Sequence, residues 1–162
     1  SFLRYTLVNE STGMVTIAQE VETLKLYLEI EKMRFEERLR PHFHIDPSCN
    51  RALLPSLLLQ PLVENGIKYA VTPHEEGADI SNEVKRQVDR VLINVSDTGP
   101  GADALYKERA DESTGVGLAN IRDRLAQAYG DNQRFETQSE ITGGFRVFID
   151  IPFQVEEAEE PR

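Results

Sequence analysis

The strongest constraint on the fold is a set of segments in which apolar and polar residues alternate. Between Arg90 and Ser96 every second residue is apolar, and the same period returns between Gly144 and Phe153. A period of two is typical of β-strands that bury one face. The last of these strands follows another at 134–140, so the two form a hairpin around Thr-Gly-Gly. Because strands and helices are mixed without regular alternation, the pattern indicates an α+β fold.

A long helix is predicted near the start of the chain. Thr16 and Gln19 have the spacing of a capping box, which predicts a helix from residue 17 to about Arg38. Its apolar residues fall on two opposed stripes, so we expect it to lie between the following domain and a helix elsewhere. One stripe contains Ile17, Val21, Leu24, Leu28, Phe35 and Leu39, and the other contains Leu26, Ile30 and Met33.

Further elements follow from local signals. We predict a strand within 41–47, a weak strand at 78–85, and a helix at 117–129 that ends at Gly130. A helix is also predicted from Leu54 to Val71, with Pro55 in its first turn and a kink at Pro61. The stretch 97–114 is predicted to be a long loop flanked by glycine, and loops of this length in compact domains are functional or mobile.

Composition excludes several classes of protein. The 162 residues are 40% hydrophobic and 28% charged, with a formal net charge of −10 and a pI near 4.8. That charge argues against general attraction to nucleic acid or anionic lipid, although a small nucleotide pocket stays compatible with it. The single cysteine, Cys49, excludes an internal disulfide and disfavours a cysteine zinc site. No apolar run reaches the roughly 20 residues that span a bilayer.

A first candidate motif lies at 57–70. Asn65 and Lys68 are three residues apart on a predicted helix, where an amide oxygen for a metal and an ammonium for phosphate suit a magnesium–nucleotide site. The alternative is a surface ion pair between Glu64 and Lys68 with an incidental asparagine.

A second motif follows the strand at 90–96. The strand leads directly into Asp97, with Gly99 and Gly101 behind it. The carboxylate could accept a hydrogen bond from an exocyclic amine such as that of adenine, and the glycines let the backbone approach a flat ring. The alternative is a simple turn.

Two weaker motifs contain glycine. Gly115 and Gly117 precede a helix whose first N–H groups could bind an anion, or they form a hinge before a capped helix. Thr142–Phe145 is, taken alone, a hairpin turn.

In this order and spacing, the four motifs resemble the nucleotide-binding domain shared by gyrase, the heat-shock ninety-kilodalton chaperone, histidine kinases and MutL proteins. LLLQPLVENGIKYA, DTGPG and TGVGLANIRDRL look most like sensor histidine kinases of the LytS type. EVETLKLYLEIEKMRFEERL is similar to the end of that family's dimerisation and phosphoacceptor region. The resemblance implies a two-layer α/β sandwich, with a mixed sheet covered by helices on one face and preceded by a long helix. It divides the chain into 1–39, an ATP-binding domain at 40–153, and an acidic tail at 154–162.

The same resemblance implies roles for individual residues. Asn65 would bind the Mg²⁺ that bridges the phosphates of ATP, with Lys68 near the phosphates. Asp97 would bind the adenine amino group, supported by Gly99 and Gly101. Further nucleotide contacts are expected from Gly115, Val116, Gly117, Leu118, Asn120, Arg122 and Thr142.

Two departures from the family pattern bear on catalysis. The related ATPases have a general-base glutamate where this chain has Pro61, so Glu64 is the substitute expected to act with Lys68 in catalysis. Weak activation of water suits transfer of phosphate to a side chain. Pro41-His42-Phe43 matches the acceptor motif only in part and lies in a predicted strand. We therefore expect the acceptor histidine to precede residue 1, and the chain to bind ATP without phosphorylating itself.

The resemblance implies a histidine kinase that relays phosphate to a response regulator, of LytTR type, and that forms a homodimer in the full-length protein. It implies a cytoplasmic position, membrane attachment only through segments outside 1–162, and no direct binding of nucleic acid. The alternatives are a serine kinase of the anti-sigma-factor type, a non-catalytic nucleotide-binding module, and an α+β domain whose glycine motifs are only turns.

Overall fold

A computed structural model describes residues 13–99, 118–139 and 143–156. The elements are β1 (Met14–Thr16), α1 (Ile17–Phe35), β2 (Leu39–Ile45), β3 (Leu53–Pro55), α2 (Leu59–Gly66), β4 (Ala78–Gln87), β5 (Arg90–Asp97), α3 (Leu118–Tyr129), β6 (Arg134–Ser139) and β7 (Phe145–Pro152). Short 3-10 helices lie at Glu36–Arg38 and Pro47–Cys49, and α2 continues as a π-helix at Ile67–Val71.

Five strands form one mixed sheet. Their order is β2-β4-β5-β7-β6, in which β2 and β4 are parallel and the other pairs are antiparallel. β1 and β3 form a separate antiparallel ribbon. The predicted α+β class is confirmed, and the predicted final hairpin is the antiparallel pair β6–β7.

Helices cover one face of this sheet. Along β4, β5 and β7 every second residue is buried, and the residues between them are partly exposed. The buried positions lie opposite one another in register, as Val84, Ile93 and Ile149 do. They share a core with the buried faces of the helices, including Leu62 of α2 and Ile121 of α3. The predicted two-layer arrangement is therefore confirmed.

Helix α1 belongs to the same core. Its capping box is present, since the N–H of Gln19 donates to Thr16 Oγ1 over 3.1 Å and the N–H of Thr16 donates to Gln19 Oε1 over 3.0 Å. The stripe that begins at Ile17 is buried as predicted. The α-helix ends at Phe35, three residues early, because Glu36 adopts φ +54° and the chain tightens into a 3-10 turn.

The second stripe of α1 faces outward in this chain. Leu26, Ile30 and Met33 are 48%, 66% and 81% exposed. Among the described residues, α1 is thus packed on one side only, and the expected partner on its other side stays a prediction.

The predicted helix from Leu54 to Val71 is wrong at its start. Residues 53–55 form β3, which pairs with β1 so that Met14 lies opposite Pro55. Leu57 then adopts φ +57°, and the helix begins only at Leu59. Pro61 consequently lies in the first turn, where proline is tolerated, and the reason for the predicted kink disappears.

The strand predicted at 41–47 is β2, which begins and ends two residues earlier because the chain turns into a 3-10 helix at Pro47–Cys49. The other boundaries differ less from the sequence patterns. α3 ends at Gly130, which has φ +61° and whose N–H donates to Ala126 O over 2.8 Å. β4 extends to Gln87, two residues beyond the prediction. Most of the loop expected at 97–114 lies outside the described residues. Within the described part of the chain, no helix has both the length and the hydrophobicity needed to span a membrane.

Candidate functional site

Asp97 is the last residue of β5 and lies on the covered face of the sheet. Its neighbours across the sheet are Ile80 on β4 and Phe145 on β7, and it is 7% exposed. The N–H of Gly99 donates to Asp97 Oδ1 over 3.0 Å. This short turn fixes the orientation of a buried carboxylate at the end of a strand.

The turn after Asp97 packs directly on the helix that contains Asn65. A Cβ added at Gly99 would lie 2.4 Å from the Cβ of Ala70, so no side chain fits between them. On the same helix, a Cβ at Gly66 would lie 3.6 Å from Asp97 Oδ2. The first and second motifs are therefore adjacent in space, and glycine provides the close approach.

The final glycine pair completes this assembly. Gly143 and Gly144 have φ values of +108° and +107°, and the N–H of Gly144 donates to Gly99 O over 2.5 Å. A Cβ at Gly144 would lie 2.8 Å from Asp97 O. The hairpin turn thus packs against the second motif, a contact that the sequence pattern by itself did not predict.

Asn65 and Lys68 have different environments. Asn65 is 2% exposed, whereas Lys68 is exposed at the surface. The α-helix widens into a π-helix at Ile67, between the two residues, and such segments are frequent at functional sites. The ammonium of Lys68 lies 5.2 Å from the ring centroid of Tyr69. The roles predicted for both residues toward a nucleotide stay predictions.

Glu64 is half-buried beside Asn65. The amide of Gln60 donates to Glu64 Oε1 over 3.0 Å. Among residues 13–99, no ion pair joins Glu64 to Lys68, so the alternative of a surface pair is not supported. Tyr27 of α1 faces the same region: burial raises its pKa, and the charges of Glu31 and Glu64 raise it further.

A cleft of about 390 Å³ opens at this end of the sheet. It is lined by Ser96, Asp97, Thr98, Gly143, Gly144, Phe145 and Arg146. Its volume lies in the range of small-molecule sites, about 300–1,000 Å³. The lining of the cleft is largely polar, and Asp97 is one of its residues.

The other predicted positions are only partly described. Leu118 is buried at the start of α3, and Asn120 is exposed. The guanidinium of Arg122 lies 4.8 Å from the ring centroid of Phe135. The predicted contacts of Gly101, Gly115, Val116, Gly117 and Thr142 lie outside the described residues.

The structure adds two charged residues that the motifs did not indicate. Glu20 of α1 is 2% exposed, and its carboxylate accepts hydrogen bonds from the N–H groups of residues 57–59. Arg124 of α3 donates to the carbonyl oxygens of Ser56 and Leu57. A sequence signal existed for Glu20, since it lies three residues after Ile17 on a stripe that is otherwise apolar.

Burial shifts the pKa values of both Glu20 and Arg124. Desolvation raises the pKa of Glu20, and the three N–H donors and the charge of Arg124 offset it in part. Desolvation likewise lowers the pKa of Arg124, against the effect of Glu20. The carboxyl group of Glu20 on α1 accepts from N–H groups that have no partner within α2.

Comparison with known proteins shows the family and the fold. Residues 51–155 match the family described as histidine kinase-, DNA gyrase B-, and HSP90-like ATPase, and residues 1–39 match the family described as histidine kinase. The sensor histidine kinase YesM of Bacillus subtilis is 37% identical over 93% of this chain and 26% of its own length. The sensor histidine kinase YpdA of Escherichia coli is 35% identical over 86% of this chain and 26% of its own length.

The sensor protein LytS of Staphylococcus epidermidis is 30% identical over 88% of this chain and 25% of its own length. The chain therefore spans about a quarter of the length of these relatives. Among solved structures, the catalytic domain of histidine kinase ThkA superposes with a TM-score of 0.68 at 18% identity. That match covers 86% of this chain and 96% of ThkA's catalytic domain, which shows a shared fold.

Proposed function

The chain belongs to the histidine kinase-, DNA gyrase B- and HSP90-like ATPase family, and from that premise we propose that it is the catalytic part of a sensor histidine kinase. Residues 40–153 are the proposed ATP-binding domain, preceded by a helical region at 1–39 and followed by an acidic tail at 154–162. The observation that carries the proposal is the packing of Asp97 and Gly99 against α2 and its π-helical continuation, with Gly144 packed on Asp97 and Gly99. A buried carboxylate held beside glycine backbone, which has no side chains, suits recognition of a flat base with an exocyclic amino group.

In this proposal Asp97 accepts a hydrogen bond from the adenine amino group. Its orientation is fixed beforehand by the N–H of Gly99, which lowers the cost of ordering on binding. Gly66 supports the same contact because it presents only backbone beside Asp97 Oδ2.

The proposed position for Mg²⁺ fits the donors that the described residues offer. Those residues contain no cluster of three or more His, Cys, Asp or Glu side chains, so they form no separate metal cage. Mg²⁺ is commonly bound through one or two protein ligands together with substrate phosphates and water. The amide oxygen of Asn65 suits that arrangement, with Lys68 as a mobile cation for phosphate. When bound, the ion would neutralise charge on the phosphates.

We propose that Glu64 is the general base that takes a proton from the acceptor histidine. Pro61, which stands where related ATPases have a glutamate, cannot take a proton. Glu64 is half-buried and is held by Gln60, which leaves it at the surface of α2 for an incoming side chain. The acceptor is a histidine outside this chain. His42 lies on β2 with its Nε2 2.9 Å from Asp79 Oδ1, and His44 lies on the same strand, so neither is placed as an acceptor on a helix.

The test of nucleotide binding is calorimetric titration with Mg·ATP. Wild type should bind saturably, and Asp97→Ala should lose binding. Asp97→Asn is the second variant, because its amide oxygen can still accept from Gly99 and keep the turn. Asp131→Ala, in the exposed turn after α3, is the matched control and should bind like wild type. Absence of binding by folded wild type at millimolar nucleotide would refute the proposal.

The test of phosphotransfer uses γ-labelled ATP and a separately supplied acceptor region. Acid-labile label on a histidine of that region supports the proposed kinase. Acid-stable label on serine would instead identify a serine kinase, and binding without transfer would identify a non-catalytic module. Acid-labile label on His42 would refute an external acceptor.

Partners and location are proposed from the relatives. ThkA has been solved in complex with the response regulator TrrA, and we propose a response regulator, of LytTR type, as the receiver of phosphate here. We also propose a homodimer of the full-length protein, a cytoplasmic position for this part, and no direct contact with nucleic acid.

A further inference from the structure

Helix α1 is joined to the start of α2, the helix that contains Asn65, by a buried carboxyl group. Glu20 Oε2 accepts from the N–H of Leu58 over 2.6 Å and of Leu59 over 2.9 Å, and Oε1 accepts from the N–H of Leu57 over 3.0 Å. Leu59 is the first residue of α2, and Leu57 and Leu58 directly precede it. A single side chain of α1 therefore binds the backbone at the point where that helix begins.

The turn that Glu20 holds is conformationally strained. Leu57 has φ +57°, a left-handed region that is unfavourable for a non-glycine residue. Because its side chain is 51% exposed, packing does not explain this conformation. Its N–H is bound by Glu20 and its carbonyl oxygen by Arg124. Contacts from two other helices thus hold the turn in place.

Arg124 brings a third helix to the same turn. It donates to Leu57 O over 2.9 Å and also to Ser56 O. It lies on α3, which begins at Leu118, directly after the glycines of the third motif. The start of α2 and helix α3 are therefore both bound to one short turn, which Glu20 also joins to α1.

The chemical choice at position 20 is informative. A helix start can be capped locally by Ser, Thr, Asp or Asn, without a buried charge. Here the N-cap residue is Leu58, which makes no side-chain capping bond, and the cap is supplied by an ionisable group of a distant helix. Burying a carboxylate costs free energy, and buried polar groups of this kind are best explained by the geometry that they specify.

We propose that Glu20 and Arg124 form a clamp on residues 56–59 that couples the position of α1 to the position of Asn65. Glu20 is then a positioning residue for the metal–phosphate end of the site. It acts from the region matched by the histidine kinase family, at 1–39, on the region matched by the ATPase family, at 51–155. Displacement of α1 along its axis would pull on the start of α2, so this contact is a direct route for regulation. The inference rests on the proposed function.

The test compares Glu20→Gln with wild type in the full chain. Gln is isosteric and neutral, so the buried site stays filled while the charge on the three N–H groups is removed. Glu22→Gln is the control, because Glu22 is exposed on the same helix. Arg124→Gln tests the second contact of the clamp, between Arg124 and the carbonyl oxygens of Ser56 and Leu57. Its control is Arg134→Gln, at an exposed arginine of β6.

The deciding measurement is the affinity for ATP with Mg²⁺ and with EDTA. Couplings of this type change affinity by roughly 2- to 30-fold. We expect Glu20→Gln and Arg124→Gln to weaken Mg·ATP binding within that range and to leave metal-free binding within about twofold of wild type. A purely structural role would lower the melting temperature or the binding stoichiometry, without changing the ratio of the two affinities. Equal losses with and without Mg²⁺, or wild-type affinity in both variants, would overturn the proposal.

Amide hydrogen exchange tests the proposed clamp in the absence of nucleotide. Glu20→Gln should accelerate exchange at residues 57–66 and leave the β5–β7 ladder unchanged, and Glu22→Gln should change neither. If wild type bound no Mg·ATP, the proposed function would fail, and unchanged exchange at 57–66 in Glu20→Gln would refute the clamp itself.

Discussion

The backbone of Gly99 lies directly against Ala70: a Cβ added at Gly99 would sit 2.4 Å from the Cβ of Ala70 and 2.8 Å from its Cα. Gly99→Ala must therefore displace the turn after Asp97 or the π-helix. Overpacking of this kind costs about 1–3 kcal/mol. We expect that loss in the free energy of unfolding, measured with denaturant, together with weaker nucleotide binding.

Gly130→Ala is the control for that prediction. Gly130 has φ +61°, but a Cβ there would meet nothing within 4 Å. The variant should lower the free energy of unfolding only by the cost of the left-handed backbone, about 1–2 kcal/mol, and leave nucleotide binding unchanged. Equal behaviour of the two variants in both measurements would contradict the steric argument.

Asn65→Ala should weaken Mg·ATP binding more than metal-free ATP binding, because the proposed role of its amide oxygen is toward the ion. Titrations with and without EDTA measure the difference. The double variant with Glu20→Gln should be no weaker toward Mg·ATP than Asn65→Ala alone, since both changes remove the same contact. Additive losses would show that Glu20 acts elsewhere.

Glu64→Gln should separate chemistry from binding. General bases contribute about 10²–10⁴-fold to rate, so transfer to a supplied acceptor histidine should fall within that range while Mg·ATP affinity stays near that of wild type. Glu75→Gln, in an exposed loop, is the control. An unchanged transfer rate in single-turnover measurements would remove Glu64 from the proposed mechanism.

Stability should depend on pH through Glu20. Burial raises its pKa above the ordinary value of 4.5, so between the two values the folded protein binds more protons than the unfolded chain. The contribution of Glu20 to the free energy of unfolding is therefore fully present below pH 4.5 and is lost as pH rises through the folded-state pKa. Denaturation from acid to neutral pH should show wild type losing stability relative to Glu20→Gln. The difference in free energy of unfolding between wild type and Glu22→Gln should change little over the same pH range.

The outer stripe of α1 should matter for self-association. Ile30 and Met33 are 66% and 81% exposed and apolar. If a second copy covers this face in the proposed homodimer, Ile30→Glu should shift sedimentation of the full-length protein toward monomer. Val88→Glu introduces the same charge at an exposed apolar residue between β4 and β5, and it should leave association unchanged. Equal dimerisation of both variants would exclude this face.

Local patterns predicted much of the fold. The capping box at Thr16, the alternation along β5 and β7, and the glycine after α3 depend on interactions within a few residues, and each was confirmed. The helix predicted from Leu54 failed because pairing with β1 outweighed local helical periodicity. The π-helix at Ile67–Val71 has no local sequence signal that we could identify.

For the candidate site, the sequence by itself determined which residue types are present: a carboxylate at a strand end, an asparagine on a helix, and glycines at turns. Tertiary structure decided which of them meet. Gly99 touches Ala70 because α2 and its π-helical continuation pack on β5, and it binds Gly144 because the sheet order places β7 beside β5. Glu20 reaches residues 57–59 only because α1 packs on the same core. Such contacts join positions far apart in the chain, where short-range spacing carries no information.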